Sequence, residues 1–314
     1  MYPVLFGFLP SFGVLVATGF LVGIWLWCHA LARHGDDLEK DPVRASEVAI
    51  WLLVGVIAGA RLMYVTVEVS RYLRADVTPA MRQYLEAEDR SVVLISPEER
   101  RAAGKVQTGY DFAHDPLQVV MVWKGGLVMY GGFAGAVLLG LWASRRRGLE
   151  PWNALDTALP GSFVGLAIGR WGCLLVGDDF GRVVPAQHTD LPFPLTITVP
   201  AREWLLEHNK SLFPHDLAGE TLWCTQIWMS TNALLVALVA WLVLRRRTFR
   251  GQVAAVVFVH YAITRFLIEM FRGDEIRGVW FGGALSTSQL IALPGILLGI
   301  WIYVSRRRVA ANPP

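Results

Sequence analysis

Four charged side chains stand where charge is expensive. Arg61, Arg170, Arg265 and Glu269 each lie within a run of apolar residues long enough to be buried in lipid. A guanidinium at that depth costs about 2.5–3.5 kcal/mol on insertion scales, so three cost about 7–10 kcal/mol unless anions meet them. Arg265 and Glu269 are spaced i, i+4 and share a helix face, which makes Glu269 the simplest partner of Arg265. Arg170 opens the stretch Gly169-Arg170-Trp171-Gly172-Cys173-Leu174-Leu175-Val176-Gly177-Asp178-Asp179-Phe180-Gly181-Arg182. Asp178 and Asp179 follow it by about two helical turns, and either can reach an arginine. Two arrangements satisfy this charge count. Either protein carboxylates balance the arginines, or the arginines hold an anion from outside the chain. Arginine grips phosphate with a fork of donors, and a bilayer surface is rich in phosphodiester head groups, so a lipid-phosphate site between helices meets the requirement.

Glycines permit close approach at a comparable depth. Gly131 and Gly135 form a Gly-x-x-x-Gly pair that lets a second helix pack tightly. Beside them stands Tyr130, read either as a polar group in a glycine-lined slot or as an interfacial anchor. Other chemistries find little support. Cys28, Cys173 and Cys224 form no CxxC and no disulfide framework, and read as small packing residues. His188, His208 and His215 are scattered at no ligand-like spacing, so no metal site is expected. No glycine-rich loop suited to a nucleotide is present, and no cofactor is expected. A retinal protein is disfavoured because the last apolar run has no lysine, and a transporter because the two halves share no repeat.

The elements that must position these residues are helices in lipid. Of 314 residues, 54% are apolar and only 18% charged, below the ~25% charged usual in soluble domains. The charges are clumped, and between the clumps lie seven apolar runs near the ~20 residues that span a hydrocarbon core. They cover roughly 9–32, 48–69, 126–143, 155–176, 223–244, 253–271 and 285–304. Basic blocks follow the first run (Arg33, Lys40, Arg44), the third (Arg145 to Arg147), the fifth (Arg245 to Arg247, Arg250) and the seventh (Arg306 to Arg308). Every second loop is thus basic and, by the positive-inside rule, cytoplasmic. The expected fold is an all-α polytopic membrane protein of seven transmembrane helices, N-terminus outside and C-terminus cytoplasmic. The net charge of +3 is a topology signal and points to no nucleic acid. Thirteen tryptophans, among them Trp27, Trp51, Trp123, Trp142, Trp223 and Trp301, fit an interfacial belt. A single membrane-embedded domain over 1–314 is expected, with small extracytoplasmic elements inserted at 70–124 and 177–222. The first insertion carries a short helix near 79–89 and a capping signature at Ser96-Pro97-Glu98-Glu99. The second carries a strand at 195–199 and an amphipathic helix at 201–212 after Pro200.

Taken in order, these residues resemble the prolipoprotein diacylglyceryl transferase family of bacterial inner membranes. The resemblance runs from Phe12-Gly13 to Ser288-Gln289. It rests on Gly59-Ala60-Arg61, on Trp-x-Gly-Gly-x-x-x-Tyr-Gly-Gly ending at Gly131-Gly132, and on Gly-Arg-x-Gly with its later Gly181-Arg182. The fourth piece is Tyr261-x-x-x-Arg265-x-x-x-Glu269-x-x-Arg272-x-Asp274. The resemblance implies transfer of diacylglycerol from phosphatidylglycerol to the lipobox cysteine of a prolipoprotein signal peptide, with release of glycerol phosphate. The chain also departs from the family's pattern. Tyr130 stands where the family commonly has a His proposed as catalytic, Cys173 and Val176 replace two Asn, and Asp178 takes the acidic position. A His-Pro-x-Gln-x-Tyr-Glu stretch becomes Trp223-Cys224-Thr225-Gln226-Ile227-Trp228-Met229, and a frequent Tyr becomes Phe12.

By that route a thiolate attacks the glycerol carbon bearing the phosphate. Arg170 and Arg265 are suited to the charge that builds on the departing phosphate, and the incoming thiol is acidified beside them. Glu269 orients Arg265. Asp178 is the expected proton acceptor, with His260 a remoter candidate. A tyrosine phenol in isolation ionises only at about pH 10, so this residue type at Tyr130 serves better as a donor or orienter than as a base. Arg61, Gly131, Gly132, Tyr261, Gly181 and Arg182 are the expected substrate contacts, in a membrane whose lipids are themselves partners.

Overall fold

The computed structural model describes residues 3–5, 9–74, 111–112, 115–122, 125–208, 211–273, 279–280 and 285–311. The expected helix at 79–89, the capping signature at 96–99, Trp123 and Asp274 lie outside them. The chain is mostly helical. The long helices are α1 (Ser11–His34), α2 (Asp41–Arg74), α3 (Met129–Arg146), α4 (Pro151–Val176), α6 (Thr225–Arg246), α7 (Gln252–Glu269) and α8 (Thr287–Ala311), with the short α5 at Arg202–Glu207. Six of them are long and apolar enough to cross a membrane, where the sequence led us to expect seven. The exception is α3, whose 18 residues end on Arg145 and Arg146. At 1.5 Å per residue it is about 27 Å long.

The chain divides into two compact units, Met1–Ala45 with Glu150–Pro314, and Ser46–Leu149. In the first, α1 packs along α4 through two glycine pairs, Gly19/Gly23 and Gly161/Gly165. A Cβ on Gly161 would lie 2.6 Å from the Gly23 carbonyl oxygen, and one on Gly165 2.5 Å from that of Gly19. Only hydrogen on these Cα atoms lets the two backbones come so close. The core beside this contact is built from Ala30, Val236, Ala240, Leu244, Val253 and Val257, with Phe163, Trp241 and Tyr261 against it.

Polar side chains tie one end of this unit. Asp156, fully buried, accepts from the backbone N–H groups of Gly251 (2.8 Å) and Ala254 (3.0 Å) and from Arg247 (3.2 Å). It therefore caps α7 from another helix, supplying the acceptor that its N-terminal donors need. Arg247 also donates to the carbonyl of His34 (3.2 Å), fixing the end of α1.

At the other end sits a small cap. Strand β1 (Thr196–Thr198) pairs antiparallel with β2 (Thr221–Trp223). Phe180, Val199, Leu205, Phe213 and Leu222 form its own core. The strand expected at 195–199 is present, whereas the helix expected to reach 212 stops at Glu207. Leu212 donates its N–H to Val176 (2.7 Å), which turns the chain back to the end of α4.

In the second unit α2 and α3 meet through Gly55/Gly59 and Gly131/Gly135, where a Cβ on either Gly55 or Gly59 would collide with the opposing carbonyl. The Trp51 and Trp142 rings meet edge-on at 5.0 Å along the same seam.

Candidate active site

Helix α4 ends at Gly177, whose left-handed φ of 81° lets its N–H and that of Asp178 both return to the Cys173 carbonyl (2.9 Å each). Two residues later Asp179 is also left-handed, with φ 55°. That conformation costs a non-glycine residue about 1–2 kcal/mol, and here it aims a carboxylate. Asp179 forms ion pairs with Arg170 of α4 and with Arg272, which follows α7. The first residues of α6 hold the backbone of the turn. Thr225 donates to the Asp179 carbonyl (2.8 Å) and Gln226 to that of Asp178 (2.9 Å).

The segment after α7 lies alongside this turn. Arg182 N–H donates to the Phe271 carbonyl (2.8 Å) and Gly273 N–H to that of Phe180 (3.1 Å), while Gly181 N–H bonds the Trp223 carbonyl (3.1 Å). A Cβ at Gly181 would lie 2.6 Å from the Cβ of Trp223, so glycine is required for the three segments to meet. The Arg182 side chain donates through Nε to the Arg272 carbonyl (3.2 Å). Trp223, Trp228 and Phe271 cluster over this region, tilted or edge-on to one another, at ring distances of 5.3–5.9 Å.

Arg265 forms the expected ion pair with Glu269, one turn along α7. Its Nη2 also donates to Ser288 at the start of α8 (3.3 Å). The Glu269 side chain is 1% exposed and that of Asp179 is 20% exposed. The first is sealed and the second is reachable. Burial alone would raise the Asp179 carboxyl, but the guanidiniums of Arg170, Arg272 and Arg265 outweigh it and hold the group below the ordinary carboxylate range. Asp178 instead turns its carboxylate back to the N–H of Asp179 (2.9 Å). Ligand atoms of Cys173, Asp178 and Asp179 lie within 4.8 Å of one another, a spacing that a cation could use. The oxygens of Asp179, however, are already engaged by two guanidiniums, so the trio belongs to the arginine network.

The structure thus gathers Arg170, Arg265, Glu269, Gly181, Arg182 and the Asp178 turn at one end of the first unit. Tyr261 stands deeper on α7, its ring edge-on to Phe163 at 5.1 Å. His260 lines a mostly apolar cavity between α7 and α8 with Val256, Gly299 and Tyr303. Sequence reasoning offered Asp179 as an arginine partner without placing it among the site residues, and did not place Arg272 there. Both stood in the quoted motifs, but the left-handed turn that swings Asp179 past its neighbour leaves no sequence signal.

Arg61, Tyr130, Gly131 and Gly132 belong to the second unit. Arg61 is 3% exposed and donates to the carbonyls of Gln118 (2.5 Å), Val119 (2.8 Å), Gly125 (2.6 Å) and Gly126 (3.2 Å). Its guanidinium also lies over Phe112 and Tyr64 at 5.1 and 5.8 Å. Gly125 and Gly126 are both left-handed, φ 86° and 76°, which turns successive carbonyls toward it. Tyr130, at the start of α3, is exposed, while Gly131 and Gly132 are buried against α2.

A family model described as prolipoprotein diacylglyceryl transferase matches residues 3–305. The chain belongs to this family. Among its relatives, the phosphatidylglycerol–prolipoprotein diacylglyceryl transferase of Synechococcus elongatus is 28% identical over 305 residues, covering 94% of this chain and 84% of the relative. The enzyme of that name from Thermosynechococcus vestitus is 28% identical over 92% of this chain and 85% of its own length. That from Geobacter sulfurreducens is 27% identical over 95% and 92%. The match over residues 3–305 includes every residue of the arginine network.

Proposed function

We propose that this chain transfers the diacylglyceryl group of phosphatidylglycerol to the lipobox cysteine of a prolipoprotein, forming a thioether and releasing glycerol phosphate. The observation that carries the reading is a charge count. Arg170, Arg265 and Arg272 are paired with two carboxylates, Asp179 and Glu269. Among the described residues the guanidiniums of this group exceed its carboxylates by one positive charge, and adding the neighbouring Arg182 and Asp178 leaves that excess unchanged. A phosphodiester carries one negative charge. Arg170 and Arg265, with Arg272 beside them, take its oxygens, and their contribution grows as the ester oxygen departs with the electron pair of the breaking bond. Glu269 holds Arg265 in place. The Asp178–Asp179 turn supplies the carboxylate that receives the thiol proton. Tyr130 donates to substrate beside Gly131 and Gly132. Tyr261 and Gly181-Arg182 complete the contacts. Arg61 acts through the Gln118–Gly126 backbone that it gathers.

In this reading α3 is the seventh crossing, the N-terminus faces outward, and the basic loops face the cytoplasm of a bacterium across its inner membrane. Residues 1–314 act as one membrane-embedded transferase domain, with insertions at 70–124 and 177–222 on the outer side, where the signal peptide presents its cysteine. Complementation tests the proposal. The chain expressed in a bacterium depleted of its own transferase should restore growth, and a lipoprotein should gain the mass of a diacylglyceryl group. Good expression with no such gain overturns it.

A further inference from the structure

Two carboxylates stand among the arginines, and they differ in what they can do. Glu269 is sealed and is paired with Arg265 on its own helix. Asp179 straddles two guanidiniums from different parts of the chain, Oδ2 toward Arg170 Nη1 and Oδ1 toward Arg272 Nη2. This is the pattern in which the two non-bridging oxygens of a phosphodiester would engage two arginines. The backbone of Asp179 is fixed independently of its side chain, by Thr225 on its carbonyl and by Asp178 on its N–H. Rotation about χ1 therefore frees the carboxylate without moving the turn. Oδ2 also lies 3.6 Å from the sulfur of Cys173, so a thiol fits against that oxygen.

We propose that Asp179 competes with the substrate phosphodiester for Arg170 and Arg272, and that the carboxylate so displaced takes the proton of the incoming cysteine. This inference rests on the transferase reading above and assigns the base within it. The step balances. The lipobox S–H gives its proton to Asp179, and the sulfur lone pair forms the C–S bond to the glycerol carbon. The C–O bond to phosphate breaks with its electron pair, and the proton passes from Asp179 to the departing phosphate monoester. Asp179 then recovers its guanidiniums and expels the product. The arginines hold Asp179 below the ordinary carboxylate range, so leaving them makes it a stronger base at the moment a base is needed.

The test separates binding from turnover. Purified wild type and Asp179→Asn are assayed with phosphatidylglycerol and a lipobox peptide, using glycerol 1-phosphate as the competing anion. The amide occupies the same space without competing as an anion. Inhibition by glycerol 1-phosphate should tighten by about tenfold or more, while kcat falls about 10²-fold or more. Weaker inhibition in a folded Asp179→Asn protein, or an unchanged kcat, overturns the proposal. Should that variant fail to fold, Asp179→Glu carries the test. It keeps charge and base, so kcat should stay within about tenfold of wild type, and loss of turnover in folded protein overturns the assignment. A wild-type protein that transfers nothing would instead overturn the transferase reading itself.

Discussion

Replacing Arg61 should unfold rather than merely disarm the second unit. Its guanidinium makes four hydrogen bonds to the carbonyls of Gln118, Val119, Gly125 and Gly126. Bonds to a charged donor contribute about 1.5–3 kcal/mol each. They are not additive, and the freed carbonyls recover some solvation, so Arg61→Ala should cost about 3–5 kcal/mol, the range for breaking one side of a buried charged contact. At about 1.4 kcal/mol per tenfold, the folded-to-unfolded ratio falls by roughly two to three and a half orders of magnitude. Arg61→Lys keeps the charge but places one compact ammonium where a planar fork spans four acceptors, so it should fall between the two. The assay is thermal unfolding of the detergent-purified protein, with transfer kinetics taken well below the midpoint. A wild-type melting temperature together with a raised KM for phosphatidylglycerol would refute the reasoning and make Arg61 a direct lipid ligand.

Three further outcomes follow from the same geometry. Gly165→Ala places a methyl 2.5 Å from the Gly19 carbonyl oxygen, forcing α1 and α4 apart by about 1 Å and costing about 1–3 kcal/mol, read as a lower unfolding midpoint. Cys224 is buried, which pushes its thiol up to about 11, so a maleimide at neutral pH should label it only after unfolding. The Asp179 carboxyl is held below its unfolded value, so its ion pairs stabilise the fold above that value and are lost as pH falls through the depressed one. The difference in melting temperature between wild type and Asp179→Asn should therefore stay level from about pH 8 to about pH 5 and shrink only below about pH 4.

The membrane helices were legible because lipid imposes one strong rule, that a crossing be apolar for its whole width. Hydropathy sees only that width. It located the second run at 48–69, whereas α2 extends from Asp41 to Arg74, because charged residues leave the lipid without ending the helix. The third run was expected from Gly126, but α3 starts at Met129. Gly125 and Gly126 are left-handed and turned around Arg61 and Tyr64, which hydropathy cannot show. The Arg265–Glu269 pair was legible because i, i+4 spacing is local. The partners of Gly131 and Gly135 were not, since nothing local couples them to Gly55 and Gly59 some seventy residues away. Resemblance drew attention to Asp178, and only the positive φ of its neighbour reveals that Asp179 is the residue that meets Arg170 and Arg272. Hydropathy puts Trp223 at the start of a helix, whereas it ends a strand, because the cap pairs it with Thr196.

The central claim is that Arg170 and Arg265 exist to hold a lipid phosphate while sulfur displaces it. The most direct measurement is the mass of a lipobox peptide incubated with phosphatidylglycerol and purified protein, for wild type, Arg170→Ala and Arg265→Ala in parallel. The account predicts a diacylglyceryl mass gain with wild type and none with either variant, although both remain folded. A full mass gain with either variant would contradict it.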